Sequence, residues 1–189
     1  MIKIGILGDI GSGKSYVAKS FGYPVFNADA EVGKLYKKDR KIFNKLQKIL
    51  PKYIHSFPIS KIEISNAILT NESNLKKLIR VVHLEIRNQM NIFLKKNKHK
   101  KIVILDIPLL LENKINRKKD ILIFVQSKKS EVLKRLKKRK NFNTILINKF
   151  RDIQLPLDYK KKKSNFIIKN NFTNKPVKKS IERVLKEIL

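Results

Sequence analysis

Ile2-Lys3-Ile4-Gly5-Ile6-Leu7-Gly8-Asp9-Ile10-Gly11-Ser12-Gly13-Lys14-Ser15 opens the chain, and its reading decides the fold. The apolar pattern over residues 2–7 reads as a buried strand. Residues 8–15 fit G-x-x-x-x-G-K-[ST], and a helix is expected over about 13–21. Four of the six glycines (Gly5, Gly8, Gly11 and Gly13) fall in the first thirteen residues, a concentration that suits a backbone built to wrap something. In such a loop successive N–H groups turn inward around an anion, and the following helix presents its positive N-terminal end. Lys14 is placed to reach the outer phosphates of a nucleotide, and the Ser15 hydroxyl is a ligand for Mg²⁺. Strand, loop and helix in that order predict a nucleotide site made from Gly8, Gly11, Ser12, Gly13, Lys14 and Ser15, with Tyr16 next on the helix.

Outward from this loop, strands and helices alternate. A short second strand is expected over 24–26, leading into Asn27-Ala28-Asp29. Helical patterns cover 31–50, where Ile42, Phe43, Leu46, Ile49 and Leu50 recur at helical spacing, then 61–69 and 74–96. The run Ile102-Val103-Ile104-Leu105 is continuously apolar, as strands buried in parallel sheets are, and ends in Asp106. Residues 120–125 repeat that pattern and feed a helix over 130–139. A basic helical stretch over 143–153, a strand over 166–168 and a helix over 177–189 complete the chain. Strands separated by helices predict an α/β fold, a three-layer, doubly wound parallel sheet with right-handed crossovers. Ligands in such sheets sit at the carboxyl ends of the strands.

Composition narrows the functional classes. The 189 residues suit one domain with helical insertions. With no cysteine, disulfides and thiolate metal sites are excluded, and a reducing cytosol is expected. No signal-peptide pattern opens the chain, and no apolar run nears the roughly 18 residues that span a bilayer. A soluble, cytoplasmic protein without membrane association is expected, and a monomer or weak oligomer is the expectation for its assembly. The net charge of +30 would ordinarily direct attention to nucleic acid. The excess is mostly lysine, however, aromatics are 8% of residues and Trp is absent, so no base-stacking platform is indicated. The runs 95–101, 134–140 and 160–163 read as solvated helix faces and loops, and no specific nucleic-acid partner is expected.

With the loop and several downstream elements in hand, the sequence resembles the dephospho-coenzyme A kinases along nearly its whole length. The family opens close to L-T-G-G-I-G-S-G-K-[ST], and its second strand ends in D-A-D, matched by Asn27-Ala28-Asp29. A histidine–proline pair corresponds to His83-Leu84. The most distinctive match is Asp106-Ile107-Pro108-Leu109-Leu110-Leu111-Glu112, against D-x-P-L-L-[FL]-E. Two arginines four apart correspond to Arg135 and Arg139, a lid helix ending in Ile-x-x-Gln is similar to the stretch ending Ile153-Gln154, and the closing strand's I-x-N end matches Ile168-Lys169-Asn170. The resemblance implies transfer of the ATP γ-phosphoryl group, with Mg²⁺, to the 3′-hydroxyl of the dephospho-CoA ribose. It also implies a P-loop kinase core over about 1–29, 98–134 and 164–189, a helical substrate-binding insertion over 30–97 and a small helical lid over 135–163.

Individual residues carry expectations of their own. Asp29, just past the second strand, is read as the group that orients the acceptor hydroxyl and takes its proton, with helix capping as a compatible second role. Asp106 is either a water-mediated Mg²⁺ ligand or a strand-end turn residue. Pro108 shapes the turn while Leu109 and Leu110 wall the substrate pocket; Glu112 orients substrate or caps a helix. His83 is either a substrate contact or a satisfied core histidine. Arg139 faces developing phosphoryl charge or plain solvent, and Asn170 contacts adenine or only turns the chain. Asp9, Asn27, Tyr16 and Leu84 depart from the family pattern. Two rivals remain: another phosphate-loop kinase acting on a nucleoside or nucleotide, and a basic nucleic-acid-binding ATPase.

Overall fold

A computed structural model describes residues 1–139 and 142–189. Lys140, within one of the lysine runs, lies outside the described residues. The chain forms two compact units, one from Met1–Asn27, Asn97–Phe142 and Ile153–Leu189, the other from Ala28–Lys96 and Asn143–Asp152.

The first unit is built on five parallel strands, β1 (Ile2–Gly8), β2 (Val25–Asn27), β3 (Ile102–Asp106), β4 (Ile121–Gln126) and β5 (Phe166–Lys169), in the order β2-β3-β1-β4-β5. The expected parallel α/β sheet is therefore present, and its central strand is the one that feeds the glycine loop. Ile4, Ile6, Ile102, Ile104, Ile123, Val125 and Ile168 pack on one side of it. They meet Val17, Ala18 and Phe21 of α1 (Lys14–Ser20) and Val177, Ile181 and Val184 of α9 (Asn174–Ile188). The α9 residues are spaced four and three apart, so they form one apolar stripe. Helix α9 begins before the expected residue 177 because Pro176 lies in its first turn, where a missing N–H leaves no bond unmade. At the other side of β1, Gly5 admits Leu110 and Leu122, and a Cβ there would collide with Leu110. Two further helices, α6 (Lys129–Lys137) and α8 (Leu157–Lys162), belong to this unit. Helix α8 was not expected: six residues are too few to show periodicity, and half of them are lysine.

The second unit is helical: α2 (Ala28–Lys38), α3 (Arg40–Ile49), α4 (Lys61–Thr70), α5 (Glu72–Lys96) and α7 (Thr144–Asp152). Residues 135–163 are thus distributed between the two units. The spine is α5, whose Leu75, Leu78, Val82, Ile86 and Met90 are buried at spacings of three and four. The helical patterns expected over 31–50 fall in two helices, because Asp39 leaves helical geometry at φ −99° and ψ 99° and its carboxylate accepts the Ile42 N–H at 3.0 Å. That is an N-cap, and it starts a new helix.

Helix α4 begins in a polar cluster. Ser60 and Glu63 form a reciprocal capping box, and Glu63 also accepts from the His55 and Ser56 amides and the Ser56 hydroxyl. Burial alone would raise the Glu63 pKa, but these hydrogen bonds outweigh it and lower the carboxyl from 4.5 to about 2. A depressed acid stabilises the fold above its unfolded value and loses that contribution as pH falls through its folded one. We therefore expect Glu63→Gln to cost about 1–2 kcal/mol near neutrality, and the difference from wild type to vanish between about pH 4.5 and pH 2. Urea unfolding at stepped pH measures both.

Candidate active site

The loop after β1 is shaped by backbone conformations that suit glycine: Gly8, Gly11 and Gly13 have φ of 144°, 85° and 90°. A Cβ on Gly8 would stand 2.7 Å from the Val125 carbonyl, and one on Gly13 would collide with the Asn170 side chain. The decisive feature is the Ser12 carbonyl. It accepts from Ser127 Oγ at 2.9 Å and Asn170 Nδ2 at 2.8 Å, side chains that follow β4 and β5. In a trans peptide the N–H of Gly13 points opposite to that carbonyl, so anchoring the oxygen outward aims the amide inward. Helix α1 begins immediately behind, with its N-terminal dipole end on the loop.

Asn170 is 2% exposed, and its Oδ1 accepts the Phe172 N–H at 2.9 Å. Read from sequence as an adenine contact or a turn residue, it spends its side-chain amide on a brace between the loop and the β5–α9 turn. Removing the brace should loosen the cradle. Asn170→Ala is expected to raise KM for ATP about 5–30-fold, the equivalent of roughly 1–2 kcal/mol for a buried hydrogen bond, with the acceptor KM unchanged; initial-rate kinetics read both.

Lys14 extends its ammonium across the loop to the carbonyls of Gly8 (3.1 Å) and Asp9 (2.9 Å). The charge is thus carried over the loop itself. Asp9, the family departure inside the loop, turns its carboxylate onto the Ile10 N–H at 2.7 Å. Tyr16 donates its hydroxyl to Asn174 Oδ1 at 2.6 Å, joining the starts of α1 and α9. The Tyr16 hydroxyl is thus engaged with α9. Arg139 is exposed just beyond α6. Its neighbour Arg135 stacks its guanidinium over the Phe172 ring at 4.3 Å, and that ring lies 3.4 Å from where a Gly13 Cβ would be. The pair of arginines was expected; which of them lies beside the loop was not.

At the ends of β2 and β3, Asn27 and Asp106 are register partners. The Asn27 amide donates to Asp106 Oδ2 and, at 3.4 Å, to Ser15 Oγ. One side chain therefore gathers two hard oxygens, one from the loop helix and one from the strand end. Hard oxygens are what Mg²⁺ takes, and it needs few of them when phosphates supply the rest. Among the described residues there is no cluster of three or more His, Cys, Asp or Glu able to hold a metal alone. The donor set fits a nucleotide-borne Mg²⁺.

Beyond Asp106 the turn divides into two kinds of residue. Pro108 and Leu109 are half-buried, whereas Leu110 is fully buried against Gly5. Leu110 is thus core, not pocket wall, because the glycine in β1 leaves a hole that its side chain fills. Glu112 is also placed differently from expectation: its Oε1 pairs with Lys160 Nζ at 2.7 Å and accepts the Leu155 N–H at 2.9 Å. Lys160, read from sequence as part of a solvated run, is 1% exposed.

In the helical unit, Asp29 is exposed in the first turn of α2, two residues past β2. His83 is half-buried on α5 with its Nε2 buried and unbonded among the described residues. Burial, then the Arg87 guanidinium one turn along, lowers its pKa below the ordinary imidazole value.

The dephospho-CoA kinase (CoaE) family model matches residues 2–175. The chain belongs to the dephospho-CoA kinase family. Its enzymes transfer phosphate from ATP. A dephospho-CoA kinase of Wolbachia sp. subsp. Brugia malayi is 32% identical over 187 residues, covering 96% of this chain and 95% of the relative. Among solved structures, TT1252 from Thermus thermophilus superposes with a TM-score of 0.75 at 24% identity over 100% of this chain and 98% of its own. A Campylobacter jejuni dephospho-CoA kinase gives 0.64 at 23%, covering 98% and 96%. These two extend the likeness to the P-loop kinase fold.

Membership leaves three residues of this dephospho-CoA kinase family chain that the sequence alone did not single out: Ser127, Lys160 and Phe172. Each acts through a partner distant in the chain, and none carries a motif of its own. No helix among the described residues is long and apolar enough to cross a membrane.

Proposed function

We propose that this chain, as a cytoplasmic enzyme, transfers the γ-phosphoryl group of ATP to the 3′-hydroxyl of the dephospho-CoA ribose. The ribose oxygen forms a bond to the γ-phosphorus as the bond to the β–γ bridging oxygen breaks, giving CoA and ADP. The observation that carries the reading is the outward-anchored Ser12 carbonyl, which aims the Gly13 amide into the loop, where a polyphosphate would lie.

Within that reading each group has one task. The amides of Gly11, Gly13, Lys14, Ser15 and Tyr16, at the end of the loop and the start of α1, hold the phosphates. Lys14 follows the γ-phosphoryl charge as it develops. Ser15, and Asp106 through water, supply oxygen donors to Mg²⁺, which when bound neutralises charge on the β- and γ-phosphate oxygens. Asp29 orients the acceptor hydroxyl and takes its proton late in a loose transition state. Pro108, Leu109 and His83 contact the acceptor, the last as a neutral hydrogen-bonding ring. Arg139 approaches the phosphates from the end of α6, and residues 30–97 bind the acceptor.

Incubation with Mg·ATP and a panel of dephospho-CoA, nucleosides and nucleoside monophosphates tests this directly. Mass spectrometry is expected to find a product only with dephospho-CoA, heavier by one phosphoryl group. Phosphorylation of a nucleoside monophosphate in its place would move the chain to another branch of phosphate-loop kinases.

A further inference from the structure

Lys160 sits in α8, which packs on β1, with its side chain almost wholly inside the unit. Its ammonium donates to Glu112 Oε1 at 2.7 Å and to Gln154 Oε1 at 2.9 Å. The same Glu112 oxygen accepts the Leu155 N–H, and Glu112 Oε2 is buried with no hydrogen-bond partner among the described residues. A buried pair of this kind is a poor device for stability. Each ion loses several kcal/mol of hydration, and apolar residues of similar volume commonly serve as well or better. The unbonded carboxylate oxygen adds to the cost. Stability therefore leaves the pair unexplained.

Its location supplies an explanation. Glu112 closes the turn that starts at Asp106, and Leu110 pins that turn from beneath against Gly5. Pro108 and Leu109 lie between Asp106 and Leu110, on the stretch that Glu112 closes. Gln154 and Leu155 are the residues at which the chain returns to the sheet unit after α7. One ammonium and one carboxylate thus bind together the β3 turn, α8 and the return segment. An ion pair with directional hydrogen bonds sets an orientation that apolar packing leaves loose.

We propose that Lys160 is a positioning residue for the acceptor: through Glu112 it sets the Pro108–Leu109 turn, and through Gln154 it fixes the return segment in the same register. The proposal rests on the kinase reading above and concerns the acceptor side alone. ATP, held by the loop, is not its object.

The test uses the full chain and two variants. Lys160→Met/Glu112→Leu removes both charges at once, so neither is left buried alone. Its urea midpoint is expected to match wild type, while KM for dephospho-CoA rises at least about tenfold, as expected when positioning is lost, and KM for ATP stays within about twofold. A stable double variant with wild-type acceptor kinetics, or one whose ATP KM moves equally, would overturn the proposal. If that variant does not fold, Gln154→Ala decides. It keeps the ion pair and is expected to raise only the dephospho-CoA KM, by about threefold or more; an unchanged value counts against the proposal. Wild-type turnover of dephospho-CoA in the same assay separates a failure here from a failure of the kinase reading.

Discussion

Asp29→Asn is expected to lower kcat for dephospho-CoA phosphorylation by about 10²–10⁴-fold, the usual contribution of a positioned proton acceptor. The amide keeps the size and a hydrogen-bonding oxygen, so the acceptor hydroxyl can still be oriented. What is lost is the basicity that receives its proton as the new P–O bond completes. Asp29 is exposed in the first turn of α2, where a negative charge also favours the helix dipole. That second role is worth only about 0.3–1 kcal/mol, so the variant should stay folded and its KM for ATP should stay near wild type. A kcat within error of wild type would remove Asp29 from the mechanism and leave it as a helix-end charge.

Lys14→Ala is expected to act on the other substrate. kcat/KM for ATP should fall by about 10³–10⁵-fold, the range over which a single cation on a transferring phosphoryl group acts. The ammonium bonds to the Gly8 and Asp9 carbonyls of its own loop, and the sheet core lies behind α1, so thermal unfolding should change little. Loss of activity together with loss of the fold would instead make Lys14 a structural residue. Retained activity in a folded variant would contradict the assignment of the loop.

Much of this was legible in the sequence because it is locally encoded. Strands buried in a parallel sheet read as unbroken apolar runs, and the phosphate loop needs residues that are contiguous in the chain. The break between α2 and α3 is also locally encoded, since Asp39 stands as a capping residue three positions before the Ile42 amide it holds. Other features depend on contacts no local pattern records. Asn170 braces Ser12 across 158 positions, so its role as a support could not be told from that of a ligand contact. Leu110 looks like its neighbour Leu109, and only the cavity left by Gly5 separates core from rim. Lys160 shares its composition with Lys161, Lys162 and Lys163, which are exposed. A carboxylate 48 positions earlier in the chain turns this one lysine inward.

Titration calorimetry of the wild-type protein and Lys14→Ala with Mg·ATP addresses the loop itself. Saturable binding at one site per chain is expected for the wild type, lost or greatly weakened in the variant. A folded wild-type protein that gives no binding heat at millimolar Mg·ATP would contradict the account at its root.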